Sequence, residues 1–207
     1  MQKLIPAVLA AILAFAPAAQ AKDEPGVFDY WVLALTWSPQ YCYNHERDQQ
    51  CQRSYSFVVH GLWPQFEKGG GPEDCMDVER VERPLVLRMA NIMPSSTLVQ
   101  HELQEHGSCS GMNAEDYLLP TERAHRSLTM PAAYYDVPEE LKTTVEEIEN
   151  NFIQYNSDLN PKQIALKCSG RYLSEIRFCF DKDFNTRDCA EDVQDKCGKK
   201  VILRPTR

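Results

Sequence analysis

The chain has 207 residues, of which 43% are hydrophobic and 25% are charged. This length suits one domain with a substantial core, and the composition excludes a repeat array or a bundle of membrane helices. The formal net charge of -8 excludes a protein that coats nucleic acid through a broad basic surface. It does not exclude an enzyme that holds a few nucleotides in a local cleft.

The first residues have the pattern of a secretory signal peptide. Lys3 gives a positive start, residues 4–15 form an apolar run, and residues 19–21 fit a small-residue cleavage site. We therefore predict a signal peptide over 1–21, a mature domain over 22–207, and a secreted or periplasmic location. No later stretch is long and apolar enough to span a bilayer, so no membrane contact is expected after cleavage.

Eight cysteines follow this segment: Cys42, Cys51, Cys75, Cys109, Cys168, Cys179, Cys189 and Cys197. An even number in an oxidising compartment favours four disulfides. Zinc is the alternative, but no two cysteines are closer than eight positions, so the short knuckles of structural zinc sites are absent. The residues alone do not choose among the possible pairings.

Two strands are predicted early in the mature chain. Residues 27–37 are aromatic and β-branched and are apolar on both alternating faces, as in a strand buried within a sheet. Residues 55–60 alternate as a second strand, which Gly61 is expected to break. Residues 65–72 contain three successive glycines and predict a loop.

Three helices and two further strands follow. Ser95 or Ser96 predicts the cap of a helix that runs to about His106, and Asn113 predicts the cap of a second helix. Pro138 is expected to open a third helix with an apolar stripe at Leu141, Val145, Ile148 and Phe152. Residues 172–180 and 201–203 predict strands. The mixture predicts an α+β fold, with a central antiparallel sheet flanked by several helices in one disulfide-stabilised domain.

Two segments concentrate the histidines. The first, FVVHGLWPQ, contains His60, and the second, HELQEHGSCSG, contains His101, Glu102, Glu105 and His106. In a helix, these four side chains of the second segment share less than half of the circumference. The pattern does not fit a zincin, because its second histidine is at i+5 rather than i+4. Ser-His-Asp hydrolysis is also disfavoured, because no G-x-S-x-G elbow is present.

Two histidines on separate elements are able to move two protons. Cleavage of RNA through its own 2′-hydroxyl needs one base and one acid, and a histidine pKa near 6.5 leaves both protonation states accessible. Trp63, three residues after His60, offers a flat surface for a stacked base, although core packing explains it equally well.

The two segments resemble the two catalytic signatures of the T2 family of secreted acid ribonucleases. These signatures are a strand that ends in F-x-V-H-G-L-W-P and a helix that carries H-E-x-x-K-H-G-x-C. The similarity extends to LALTWSPQYC (33–42), WPQFEKGGGPEDC (63–75), MPSS (93–96) and LSEIRFCFD (173–181). The glycine-rich loop and short length are most similar to bacterial members.

The resemblance implies a metal-independent endoribonuclease without a cofactor, and it implies catalytic roles for the residues that match the signatures by position. His106 matches the general base, His60 the general acid, His101 the histidine that holds phosphate, and Glu102 the glutamate that stabilises the transition state. It also implies single-stranded RNA as substrate, 2′,3′-cyclic phosphate products, no action on DNA, and a monomer.

The resemblance further implies the substrate-binding positions and the disulfides. The expected substrate-binding residues are Trp63, Gln65, Pro94, Ser95 and Leu98. Gln65 stands where many relatives have an acid that contacts the base, so base preference stays open. The implied pairs are Cys42–Cys51, Cys75–Cys109, Cys168–Cys197 and Cys179–Cys189.

Glu105 departs from the signature, which has lysine at this position. An anion there repels phosphate, and Glu105 is expected to favour the protonated forms of His101 and His106. We expect an active but slower enzyme, unless another cation such as Lys68 reaches the site. The alternative is an attenuated protein of the same fold that binds RNA or a partner without turnover.

Overall fold

One sheet of six strands organises residues 23–206, the part of the chain that this computed structural model describes. The strands are β1 (Tyr30–Trp37), β2 (Phe57–Gln65), β3 (Leu141–Thr143), β4 (Ile164–Ser169), β5 (Tyr172–Phe180) and β6 (Val201–Leu203). Their order is β2-β1-β5-β6-β3, and β4 also pairs with β5. All pairs are antiparallel except β5 with β6. The predicted α+β fold is confirmed, whereas the predicted signal peptide over 1–21 lies outside the described residues.

Five α-helices accompany the sheet: α1 (Ser38–Cys42), α2 (Arg83–Met89), α3 (Ser96–Glu105), α4 (Ala114–Ser127) and α5 (Val145–Tyr155). Helix α3 has Ser95 at its N-cap position and ends before His106, close to the predicted bounds. Asn113 caps α4 as predicted, accepting a hydrogen bond from the backbone N–H of Asp116. Within the described residues, no helix combines the length and apolarity needed to cross a bilayer.

Strand β2 continues through Gly61, so the prediction that this glycine breaks the strand was wrong. Gly61 pairs with Ala34 and Val59 pairs with Leu35, which leaves His60 as an extra residue in a β-bulge. The strand ends only at Gln65 and even includes Pro64. Proline is tolerated there because β2 is at the edge of the sheet, where one side of the strand needs no ladder hydrogen bonds.

Helix α5 begins at Val145 rather than at Pro138. Thr144 and Glu147 form a capping box in which each side chain bonds the other residue's backbone N–H. Leu141, assigned to the helical stripe from its spacing, belongs instead to the short strand β3. Ile148 and Phe152 are fully buried, as the stripe predicted. The local cap therefore determines the helix start more strongly than the upstream proline.

Strand β1 is buried on both faces, as predicted. One face, with Trp31, Leu33 and Leu35, packs into the large core that the helices cover. The opposite face, with Val32 and Ala34, belongs to a smaller cluster that also contains Trp63, Cys179 and Ala165. We call this second surface the Trp63 face, because Trp63 packs on it.

Four disulfides link the described cysteines, none of which is free. The pairs are Cys42–Cys51, Cys75–Cys109, Cys168–Cys197 and Cys179–Cys189, the same as those that the family resemblance implies. The second pair joins the loop after β2 to the turn after α3. It therefore anchors the end of the helix that carries the second histidine segment.

Candidate active site

The bulge in β2 places His60 on the Trp63 face of the sheet. Its ring Nδ1 is 2.9 Å from Oε2 of Glu175 on β5. Its Nε2 is 3.5 Å from Oε1 of Glu102 on α3. A β-bulge turns the strand locally and re-aims a side chain, which here directs His60 toward both carboxylates.

Helix α3 delivers Glu102 and His106 to the same place, because residues four apart share one side of a helix. Glu102 is only 1% exposed. Its Oε2 accepts a 2.8 Å hydrogen bond from Nε1 of Trp63 and lies 3.9 Å from Nε2 of His106. One buried carboxylate thus lies beside both histidines.

Gly61 makes this approach of helix and strand possible. A Cβ atom at this position would overlap the Glu102 carboxylate and crowd Nε1 of Trp63. Its backbone is extended and needs no left-handed conformation. Glycine is therefore required here for space rather than for backbone freedom.

Trp63 lies between the two histidines. Its ring centroid is 5.2 Å from that of His60 and 5.3 Å from that of His106. The guanidinium of Arg177 lies 4.7 Å from the Trp63 centroid, within cation–π range. Trp63 is only 9% exposed. Its ring is therefore a wall of the site, and a base has access only to the part that remains exposed.

The surroundings drive the pKa values of the two histidines apart. For His60, burial lowers the pKa, but the Glu175 hydrogen bond and the charges of Glu102 and Glu175 outweigh it and raise the pKa above 6.5. For His106, burial and then the positive charges of His60 and His101 lower the pKa to about 4. The expectation that Glu105 favours protonated His106 was therefore wrong, because burial decides the protonation of this ring.

A cleft of about 270 Å³ opens beside His60. His101 is exposed on α3 and lines this cleft, as do Ser95 and Leu98. The other lining residues are Thr36, Tyr41, Asp48, Gln50 and Thr97. The structure thus brings four of the predicted catalytic and binding residues to one opening.

Pro94 and Gln65 do not line this cleft. Pro94 is buried just before Ser95. Gln65 ends β2, and its amide Nε2 donates to the carbonyl of Pro64 at 2.9 Å, beside Gly71. Gln65 is therefore placed at the glycine-rich loop, on the Trp63 side of the site.

Two basic side chains within residues 23–206 contact the acidic groups of the site, and sequence analysis singled out neither. Arg177 Nε donates a 2.6 Å hydrogen bond to Glu175, and Lys167 Nζ is 4.0 Å from the same carboxylate. Lys68, considered earlier, is exposed on the glycine-rich loop. Among the described residues, no group of three or more His, Cys, Asp or Glu side chains is arranged to hold a metal ion.

Glu175 and Arg177 were missed because their strand was interpreted only by its apolar alternation. The two residues are two apart in β5 and so point to the same face of the sheet. Glu175 is only 7% exposed. The sequence did contain a signal for this buried polar cluster. Strand β5 is largely apolar, yet it carries a carboxylate and a guanidinium two positions apart.

Comparison with known proteins fits this arrangement. The family model described as "Ribonuclease T2 family" matches residues 28–189, most of the chain. The chain belongs to the Ribonuclease T2 family. Both histidine segments, Glu175 and Arg177 fall within the match, so the site described above lies entirely in the T2 region.

Two individual relatives are described as ribonucleases. A ribonuclease of Aeromonas hydrophila is 42% identical over 120 residues, covering 56% of this chain and 54% of that protein. A probable ribonuclease of Haemophilus influenzae is 28% identical over 178 residues, covering 78% of this chain and 61% of that protein. The chain therefore spans between half and two thirds of the length of these two relatives.

A solved structure has a similar fold. The RNase-related protein from Calystegia sepium superposes with a TM-score of 0.69 at 20% sequence identity. The superposition covers 87% of this chain and 98% of that one. At this identity the likeness concerns the fold.

Proposed function

We propose that this T2-family protein is an endoribonuclease that cleaves single-stranded RNA through the 2′-hydroxyl and leaves 2′,3′-cyclic phosphate ends. The observation that carries the proposal is the placement of His60 and His106 beside the buried carboxylate of Glu102, in surroundings that raise the pKa of the first ring and lower that of the second. Two titratable groups whose surroundings separate their pKa values are suited to act as an acid and a base in the same step. Neither a metal nor an organic cofactor is needed for this chemistry.

The proposed reaction exchanges one P–O bond for another. His106, neutral above about pH 4, removes the proton of the 2′-hydroxyl, whose oxygen attacks phosphorus. The P–O5′ bond breaks, and protonated His60 gives its Nε2 proton to the leaving oxygen. His101 at the cleft binds the phosphate. Glu102 fixes the positions of the two histidines and of Trp63 while negative charge develops on the phosphate oxygens.

The proposed substrate follows from the same chemistry. DNA lacks the attacking 2′-hydroxyl and is not cleaved. Bases of a single strand are expected to contact Ser95 and Leu98 at the cleft and Trp63 and Gln65 on its other side, with Pro94 shaping the loop before α3. We further propose that the protein acts outside the cytoplasm as a monomer.

The test uses oxidised mature protein with single-stranded RNA at pH 5 to 7 in EDTA. Cleavage with cyclic phosphate ends is expected, together with no cleavage of DNA of the same sequence. Loss of activity in EDTA, or products without cyclic phosphate, contradicts the mechanism. RNA binding without turnover instead supports the attenuated binding protein.

Substitution tests the two histidines. His60→Ala and His106→Ala are each expected to lower kcat/KM by on the order of 100-fold or more, the scale of general acid or base catalysis. His125→Ala, which removes a partly buried histidine on α4 outside the site, is the matched control. Near wild-type activity in either His60→Ala or His106→Ala would refute the role of that residue.

A further inference from the structure

Glu175 is a buried carboxylate with both oxygens engaged. Its Oε2 is 2.9 Å from His60 Nδ1, and its Oε1 accepts a 2.6 Å hydrogen bond from Arg177 Nε. Lys167 on β4 lies directly opposite Glu175 in the sheet, with Nζ 4.0 Å from Oε1. Charged partners on both sides offset the cost of burying this carboxylate.

The sheet gives Glu175 little freedom to move. At this position β5 lies between β1, where Thr36 is the neighbour of Glu175, and β4, where Lys167 is. Arg177, two residues on, is opposite Ala34, whose other neighbour is Gly61. The small side chains in this row leave room for the Arg177 guanidinium to reach Trp63.

We propose that Glu175 is a positioning residue that fixes the orientation and tautomer of His60, and that Arg177 holds Glu175 in place for this purpose. This inference rests on the proposed function, in which His60 is the general acid. With the Nδ1 proton donated to Glu175, the proton that leaves a charged His60 is the one on Nε2. That nitrogen lies 3.5 Å from Oε1 of Glu102 and is the one from which the proposed proton transfer to the 5′-oxygen takes place.

Charge on several elements acts on His60. Glu102 and His101 act from α3, and His106 acts from the residue that follows it. Glu175 and Arg177 act from β5, and Lys167 acts from β4 through Glu175. Asp48 lines the adjoining cleft. Glu175 is the one anion among them at hydrogen-bond distance from a His60 nitrogen. Glu175 itself stays ionised, because the contacts with His60 and Arg177 outweigh its burial and lower its pKa. Removing the charge of Glu175 is therefore expected to lower the pKa of His60.

Glu175→Gln tests the proposal, since glutamine keeps the size of the side chain and removes its charge. We expect kcat to fall by on the order of tenfold with little change in KM, a part of the roughly 100-fold or greater contribution of a general acid. The high-pH limb of the kcat/KM profile, which reports loss of the His60 proton, should move to lower pH. The low-pH limb, which reports His106, should stay in place.

Nuclear magnetic resonance of the histidine rings in the free protein supplies a readout that does not need RNA cleavage. The titration of His60 should move to lower pH in Glu175→Gln, and its Nδ1 tautomer should lose its dominance. Glu175→Asp, which keeps the carboxylate, should return the high-pH limb toward that of the wild type. An unmoved His60 titration in Glu175→Gln overturns the proposal, whether or not the protein cleaves RNA.

Glu122→Gln is the matched control. Glu122 is also a buried carboxylate that two arginines hold, Arg88 and Arg126, but it belongs to α4 outside the site. Loss of the Glu122 charge should lower the melting temperature and leave both limbs of the kcat/KM profile against pH unchanged. If Glu122→Gln shifts the His60 titration as much as Glu175→Gln does, the effect is general destabilisation and the proposal fails. If wild-type protein leaves RNA uncut while the His60 titration responds to Glu175→Gln, the proposed function fails and the contact stands.

Discussion

Glu105 is the residue at which the chain departs from the T2 signature. It is the last residue of α3, immediately before His106, and is partly exposed. Its charge does not decide the protonation of His106, which burial controls. What remains is its effect on the phosphate, since a negative charge repels the substrate and the dianionic transition state from the edge of the site.

Glu105→Lys is therefore expected to raise kcat/KM. Reversing one charge within about 8 Å of a phosphate changes its energy by roughly 1 kcal/mol in water-like surroundings, so the gain should be about fivefold at low salt. High salt should shrink the gain through screening. Glu139→Lys makes the same change of charge beside β3, at the opposite edge of the sheet from β2, and serves as control. An equal gain in the control would assign the effect to net charge alone.

The C-terminal end of α3 is held in a fixed position by the loop that follows β2. The backbone N–H of Asp74 donates to the carbonyl of Glu105 at 2.8 Å, and Gln104 contacts the same loop through Asp74 and Met76. The Cys75–Cys109 disulfide closes this junction, with a sequence separation of 34. His106 sits between these ties, so the loop after β2 and the end of α3 fix its position together.

Replacing Cys75 and Cys109 by serine should cost about 4 kcal/mol of stability, the loop-entropy value for a link of this length. Activity measured below the melting temperature should also fall, because His106 loses its anchor. Cys168→Ser with Cys197→Ser opens a link of similar separation, 29, away from α3. Chemical unfolding should give similar losses of stability for the two double variants. Equal activities would show that the anchor does not support the site.

Features of single helices and strands were predicted correctly from the sequence where neighbouring residues alone determine them. The spacing within 101–106 placed Glu102 and His106 one helical turn apart on one side, since helix geometry is fixed over one turn, and in the structure His106 is the C-cap residue of α3. The end of β2 was not predicted, because Gly61 is there to admit Glu102, a residue from another element. The start of α5 was also missed, since Pro138 is the more conspicuous helix signal and Thr144 makes the actual cap.

Across the whole molecule, contacts between residues far apart in the chain could not be predicted from local sequence patterns. His60 and Glu175 are 115 residues apart and meet only because β1 lies between β2 and β5. The family resemblance indicated that the two histidine segments belong to one site. Hydrophobic periodicity alone does not give this information. The resemblance did not supply Arg177 or Glu175, whose roles depend on which face of β5 adjoins the site.

The pH dependence of folding is also a property of the whole molecule. Glu149 on α5 is 8% exposed, and burial, then the charge of Asp195 and a hydrogen bond to it, raise its pKa to about 7. Asp195 also accepts from the backbone N–H of Leu166 on β4. The segment over 181–200, which connects β5 to β6 and contains Asp195, is thereby joined to both α5 and the sheet. A raised carboxyl pKa means that the folded state holds a proton that the unfolded chain releases.

Stability should therefore fall as pH rises from about 4.5 to about 7, the window between the unfolded and folded pKa values of Glu149. His106 acts oppositely, because its lowered pKa costs stability as pH falls from 6.5 to about 4. Between pH 5 and 8, Glu149 should account for on the order of 2 kcal/mol of decline, since one pKa unit corresponds to about 1.4 kcal/mol.

Denaturant unfolding of Glu149→Gln should remove most of this decline, because a neutral amide keeps the contact with Asp195 without an ionisable proton. Glu191→Gln, an exposed position in the same segment, should retain the wild-type slope. A wild-type slope in Glu149→Gln would place the origin of the decline elsewhere. The same variant should leave the high-pH limb of activity unchanged, since α5 lies against the large core while His60 lies on the Trp63 face.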